Sequence, residues 1–248
     1  MFTTTGEVHH GGIQNELDVI DMLNKANIYA TPVTHAGGTQ NKADAYAGSV
    51  GISIKRKRDL NNGSYDYLNS TVPVSSLPFI DLVDVWKEET LALDPTEDNK
   101  KIAKEAFNVV SSFVLSCIDT NTLTNIVRST FEAQAGMDIA ITDQQTETLY
   151  LFSADDMEVP QLLKAGYKAQ IVQTNNIVTS RKVVFVKDGD IRDVGLRIRL
   201  VTNNGIGAMM GMSKANKTSS VVVKIQQDKV GRMVHNTPHQ TIDMGGEY

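Results

Sequence analysis

The chain has almost no cysteine: Cys117 stands alone among 248 residues. That excludes an intramolecular disulfide framework and suits a reducing, intracellular compartment, so a cytoplasmic location is expected. Long apolar runs are missing too. None approaches the roughly 20 residues that cross a bilayer. The opening Met-Phe-Thr-Thr-Thr-Gly-Glu has no basic region ahead of an apolar stretch, so neither a secretory signal nor a membrane partner is expected. Cations are outnumbered, with 24 Lys and Arg against 29 Asp and Glu and a net charge of −5. Proteins that coat nucleic acid nonspecifically are usually basic, so the balance speaks against that role while leaving local phosphate contacts open. No Gly-x-Ser-x-Gly elbow occurs, and Cys117 falls in an apolar helical stripe, which leaves acyl transfer without a nucleophile. The pair Gly205-x-Gly207 is too little for a nucleotide site, and no phosphate loop or internal repeat is visible.

What is present is an ordinary globular composition, 41% hydrophobic and 21% charged, enough to bury a full core in one large or two small domains. Residues 13–25 read as an amphipathic helix with Ile13, Leu17, Ile20 and Leu23 or Asn24 along one stripe. Extended segments follow at 28–35, at 42–47 and at 52–57, with a hairpin turn at Gly48 to Gly51. Residues 61–78, rich in Asn, Ser, Tyr and Pro, read as a long connection. Helices are expected at 82–93, 102–117 and 121–133, the last begun by Asp119-Thr120-Asn121. From Met137 the pattern turns to strands at 139–142, 148–152, 168–173, 182–186, 195–201 and 220–225, and the tail after Val234 reads as poorly ordered. The expected fold class is mixed α/β (α+β), divided into residues 1–136 and a β-rich 137–248, or running as one continuous domain.

Chemistry concentrates near the start, in His35-Ala-Gly-Gly-Thr-Gln-Asn-Lys-Ala-Asp44 and Gly51-Ile-Ser-Ile-Lys55-Arg-Lys-Arg. Lys42, Asp44 and Tyr46 share one face of their strand. A turn near Gly48-Ser49 brings Asp44 opposite the Ser53 to Lys55 stretch. Glu16 lies inside the apolar stripe of the first helix, where an unpaired carboxylate is strongly unfavourable and a divalent cation or Lys55 would serve as partner. Magnesium prefers oxygen ligands and is typically held by one or two carboxylates plus a phosphate, a requirement that Asp44 and Glu16 meet. A metal-bound water beside a lysine points to phosphodiester hydrolysis.

This pattern resembles the PD-(D/E)XK nuclease superfamily of restriction endonucleases, resolvases and phage nucleases, over about residues 11–58. The resemblance implies a restriction-endonuclease-like core, a helix packed on a central mixed sheet. It implies Asp44 as metal ligand, Lys55 as catalytic lysine and Glu16 as the helix glutamate that some members contribute. Ser53 stands where the family usually has its second acid and would act on the metal, Mg2+ or Mn2+, through a water. DNA is the implied partner, and a homodimer is compatible with cutting both strands.

Each residue also has a plainer reading. Asp44 with Lys55 can be a surface ion pair of little energetic weight, and Glu16 can point to solvent. The run Lys55-Arg56-Lys57-Arg58 can be a solvated strand end, or Arg56 and Lys57 can contact backbone phosphates. In the second half, Arg197, Arg199, Asn203, Asn204 and Lys214 suit a DNA-reading strand and loop, or an amphipathic strand followed by a glycine loop. His9, His10 and His35 read as tail and strand-end residues, and His235 and His239, separated by Pro238, make a poor zinc pair. The expected activity is that of a metal-dependent endonuclease acting on DNA. The alternative is a DNA-binding or assembly protein that keeps the nuclease fold without catalysis.

Overall fold

The computed structural model describes residues 5–36, 43–60, 70–73, 77–202, 206, 210 and 219–245. It is a mixed α+β protein with two sheets, one of six strands and one of five, and six helices among the described residues. The contacts divide the chain into two units. The first holds Met1–Tyr67, Phe131–Lys164 and Gln227–Tyr248, and the second holds Leu68–Thr130 and Ala165–Gln226. The expected halves 1–136 and 137–248 are therefore not the units. A cut at 136 would separate strands that hydrogen-bond to each other, because the chain leaves the first unit twice and returns twice.

In the first unit, α1 (Thr5–Lys25) precedes β1 (Val33–His35), β2 (Ala45–Ala47) and β3 (Val50–Lys57). The two-residue turn Gly48-Ser49 closes β2 on β3, with Ala47 opposite Val50 and Gly48 at φ 61. Positive φ in a two-residue hairpin turn is what glycine supplies without steric cost. After β4 (Ser70–Pro73) and three helices in the second unit, the chain returns as β5 (Asp138–Asp143), which pairs in parallel with β3. β6 (Thr148–Ser153), α5 (Glu158–Lys164), α6 (Val230–Asn236) and β11 (Gln240–Asp243) complete the unit. The tail expected to be disordered is thus partly ordered, since β11 pairs with β6 and Ile242 joins the core.

The helix α1 covers one face of this sheet. Val19, Ile20 and Leu23 pack with Ile52, Ile54, Ala140, Leu149 and Leu151. Ile13 and Leu17, expected in the same stripe, are 46% and 44% exposed. The buried stripe instead runs through residues 19, 20 and 23, with Glu16 half-buried at its end, a helical spacing that Val19 sets. The expected extended segment 28–35 is a strand only at Val33–His35.

The second unit contains β4, α2 (Ile80–Ala92), α3 (Glu97–Ser116) and α4 (Thr120–Glu132), the last carrying the 130/131 boundary in its final turn. It continues with β7 (Lys168–Ile171), β8 (Ser180–Lys187), β9 (Asp190–Thr202) and β10 (Ser219–Ile225). Its sheet is antiparallel throughout in the order β4-β10-β9-β8-β7. β8 and β9 meet at Asp188-Gly189, both with positive φ, the conformation that an Asp-Gly pair favours in a two-residue turn. Val183, Phe185, Leu196, Ile198, Val221 and Val223 are buried on one face. In α3 the buried positions are Ala103, Phe107, Ser111, Ser112, Val114 and Leu115, whereas Phe113, expected in the apolar stripe, is exposed and stacks with Phe79. Arg181 takes a core position on β8, donating to Ser112 O, Ser112 Oγ and Thr174 O.

Candidate functional site

The β2–β3 hairpin register decides which polar groups meet. Ala45 lies opposite Ile52, and Asp44 N donates to Ile52 O, so the pairing continues one residue beyond β2. The Asp44 carboxylate then folds over the start of β3. Its Oδ2 accepts from Ile54 N at 2.7 Å, Lys55 Nζ at 3.1 Å and Ser53 Oγ at 3.4 Å. Among the described residues every hydrogen bond to this carboxylate falls on Oδ2, which leaves Oδ1 as an open acceptor. Asp44 and Lys55 are half-buried, with side chains 23% and 30% exposed, and Ser53 is buried. Ser53 and Lys55 alternate with Ile52 and Ile54, so they point away from the face that α1 covers.

Glu16 is held differently from the sequence expectation. Its Oε2 lies 2.8 Å from His35 Nε2 rather than joining the Asp44 set. Glu16 belongs to the sheet-covering stripe of α1, but that helix lies on the other face from Ser53 and Lys55. The two groups remain close in topology, because His35 sits opposite Ala45 and Ala36 N donates to Asp44 O. No group of three or more His, Cys, Asp or Glu side chains is set to hold a metal ion among the described residues. What the site offers a metal is a free carboxylate oxygen of Asp44, with the Ser53 hydroxyl beside it. That all-oxygen set fits a hard cation completed by waters and a phosphate, and not a thiolate- or imidazole-bound metal.

Two supporting residues carried no sequence signal. The Thr142 hydroxyl on β5 lies 3.3 Å from Asn15 Oδ1 and 3.5 Å from Lys55 O, tying α1 and β3 together beside the catalytic candidate. Thr142 became visible only through the parallel β3–β5 pairing, which joins residues almost ninety positions apart. The Glu16–His35 contact likewise appears only when α1 packs against β1.

The nucleic-acid candidates divide. Arg56 is exposed, and the Gln144 amide, with its oxygen turned to the guanidinium, accepts from Nε and Nη2. Lys57 is only 2% exposed, so it cannot reach a phosphate from where it stands. The strand alternation that sends Ser53 and Lys55 to one face carries Lys57 to the same face, but further inside. In the second unit Arg197 and Arg199 are half-buried on β9, and Arg197 Nε donates to Gln226 Oε1. Asn203, Asn204 and Lys214 lie outside the described residues.

A separate cleft of about 400 Å³ in the first unit is lined by Tyr29, Asp138, Ser153, His239, Gln240 and neighbouring apolar side chains. The Tyr29 hydroxyl donates to Asp138 Oδ2. Burial, then that hydrogen bond, then the Asp138 charge push its phenol well above the usual tyrosine range. His239 Nδ1 donates to Thr237 O, and the His239 and His235 rings both stand against Tyr150.

No protein-family model, no curated protein and no solved structure matches this chain. No described helix is long and apolar enough to cross a membrane.

Proposed function

We propose that this protein is a metal-dependent endonuclease that hydrolyses DNA phosphodiester bonds, with its reacting centre at Asp44, Ser53 and Lys55. The observation that carries this reading is the convergence of Ile54 N, Ser53 Oγ and Lys55 Nζ on a single oxygen of Asp44. Such a clamp fixes the carboxylate and keeps its hydrogen bonds among the described residues on Oδ2, which is how a metal-binding carboxylate is preorganised. A bound Mg2+ or Mn2+ would supply a water of lowered pKa and neutralise charge on the phosphate.

The chain's own groups would do the rest. Asp44 would hold the ion, and Ser53 would act on it through a water. Lys55 Nζ, 3.1 Å from Asp44 Oδ2, would donate to a substrate phosphate oxygen and orient the attacking water. In the reaction that water would give up a proton to solvent as it forms a new P–O bond and the bond to the leaving sugar oxygen breaks, and the leaving oxygen would take up a proton from solvent. Glu16, through His35, sits at the neighbouring end of β1 and β2 and serves as a positioning group for that edge.

A second reading is favoured by Ser53 itself. It is buried and neutral where a second carboxylate would bind metal directly, and the Asp44 charge is already met by Lys55. A protein of this kind would bind DNA or assemble with partners without cutting. Incubating supercoiled and linear DNA with the protein and Mg2+ or Mn2+ separates the two. The nuclease reading expects cleavage that falls at least about 100-fold in Asp44→Ala and Lys55→Ala. Cleavage that persists in both variants rules out this site, and DNA binding without cleavage by any form establishes the silent reading.

A further inference from the structure

The face of the six-stranded sheet that α1 covers also carries a carboxylate. Asp138 lies opposite Ser153, two residues from the core pair Ala140 and Leu151, so its side chain falls on the same face as that core. The helix ends at Lys25, and Asn27 follows with a left-handed φ of 49. Ile28 N then donates to Leu23 O at 3.2 Å and Asn27 N to Asn24 O at 3.1 Å, the paired bonds of a Schellman stop. That stop delivers Ile28 and Tyr29 onto the core. The chain between α6 and β11 brings Pro238 and His239 to the same place. Together these segments line the cleft of about 400 Å³, a volume in the range of small-molecule sites.

The cleft collects acceptors and no cation. Asp138 is half-buried, and its side chain takes one hydrogen bond among the described residues, from the Tyr29 hydroxyl to Oδ2. No lysine or arginine lines the cleft among those residues. The phenol donates its only proton to Asp138, so the Tyr29 oxygen keeps its lone pairs. His239 donates through Nδ1 to Thr237 O at 2.7 Å, which leaves Nε2 of the neutral ring as an acceptor. A half-buried carboxylate that faces no positive charge favours a ligand that brings one. An anion is excluded by the same charge. A metal ion is a poor fit, because no group of three His, Cys, Asp or Glu side chains converges among the described residues. Ile28, Leu151 and Pro238 supply apolar lining for the rest of a ligand.

We infer that this cleft is a binding site for a small organic amine, with the ammonium on Asp138 and an apolar body against Ile28, Leu151 and Pro238. An ammonium is all donor, and the lining offers the carboxylate, the Tyr29 oxygen and His239 Nε2 as acceptors. The Schellman stop and the hydrogen bond from Tyr29 hold the carboxylate before any ligand arrives, which reduces the ordering that binding costs. The site shares no residue with Asp44, Ser53 and Lys55, so it goes beyond the endonuclease reading and does not rest on it.

The test is an amide-shift titration of the isotope-labelled full chain, at neutral pH in EDTA, with 2-phenylethylamine, 2-phenylethanol and phenylacetate. These probes share a body and differ in the group offered to Asp138. The amine should bind at least about 10-fold more tightly than the alcohol, the value of a hydrogen bond to a charged group, and phenylacetate should not bind. The amides that move should be those around Tyr29, Asp138 and His239. In Asp138→Asn the amine should fall to the affinity of the alcohol, whose own binding is unchanged. Circular dichroism and the thermal midpoint establish that this variant is folded. If it is not, Gln240→Lys serves instead: Gln240 lines the cleft from an exposed position on β11, and a lysine there supplies the missing cation and should displace the amine. Equal affinity for amine and alcohol in wild type, or no binding of the amine, overturns the inference. So does amine affinity that survives in folded Asp138→Asn or in Gln240→Lys, and so do shifts that map elsewhere. Neither DNA nor metal enters the assay, so its failure leaves the endonuclease reading untouched and its success lends that reading nothing.

Discussion

At the scale of single residues the site turns on Ser53. Its hydroxyl is buried against Asp44 at 3.4 Å, so a carboxylate in its place would stand beside a carboxylate whose charge Lys55 already meets. Ser53→Asp is expected to destabilise the metal-free protein by about 2–4 kcal/mol, because it buries a like charge. Saturating Mg2+ should restore more of its thermal midpoint than it adds to wild type. Equal Mg2+ shifts in the two proteins would show that a carboxylate at position 53 does not reach a bound metal. Tyr29 gives a second residue-level test. Its phenol is raised, so its neutral form contributes stability that is fully present below the ordinary tyrosine range near 10 and is lost as pH climbs toward the raised value. In an alkaline titration followed by phenolate absorbance, one tyrosine should resist ionisation until the protein unfolds, and Tyr29→Phe should remove that tyrosine. An unchanged late-ionising fraction in Tyr29→Phe would refute the assignment.

Among the elements, α4 and β8 are each held by one polar side chain. Asp119 accepts from Asn121 N, Thr122 N and Thr122 Oγ1, which caps the first turn of α4. These bonds, led by the Thr122 hydroxyl, hold its carboxyl below the usual range. The contribution is therefore complete above the ordinary aspartate range and fades as pH falls through the lowered value. Asp119→Ala should lower the melting midpoint by about 2–4 °C at neutral pH, and the gap from wild type should close in strong acid. Arg181 is the opposite case, 4% exposed in the core with its guanidinium on the Ser112 and Thr174 oxygens. Arg181→Ala leaves those acceptors unmet and opens a cavity, a loss of about 2–4 kcal/mol in chemical denaturation. Arg181→Met fills the space and should recover part of it. A Met variant as unstable as Ala would mean the hydrogen bonds alone carry the effect.

For the molecule as a whole, the decisive feature is that each unit is assembled from separated stretches of chain. β3 finds its parallel partner β5 only after an excursion through β4 and three helices, and β6 finds β11 only after the other four strands of the second unit, β7 to β10. A parallel pair needs a crossover connection, and here one whole block of the second unit serves as that crossover. Fragments 1–136 and 137–248 should each fail to fold, since each leaves sheet edges without their partners. Dispersed amide resonances from either fragment alone would contradict this division. Mixing the two should restore native circular dichroism if the chain break falls in a connection and not in an element.

Local order was largely legible from the sequence. The Gly48-Ser49 and Asp188-Gly189 turns, the alternation of β3 and β9, the Asp119 cap and the spans of α2 to α4 all follow from backbone preferences and neighbours within a few residues. The same local rules put Asp44 opposite Ser53 and Lys55, because a two-residue turn fixes the register of both strands. What lay beyond their reach depends on partners distant in sequence. Whether Ile13 or Val19 lines the buried stripe of α1 is settled by the sheet it meets, and whether Lys57 is a phosphate ligand or a core residue by what covers its face. The pairing of Glu16 with His35 exists only once α1 packs on the sheet, and the tie of Thr142 to Lys55 only once β3 and β5, almost ninety positions apart, are set side by side. Periodicity tells which side chains share a face, and only tertiary packing decides what that face meets.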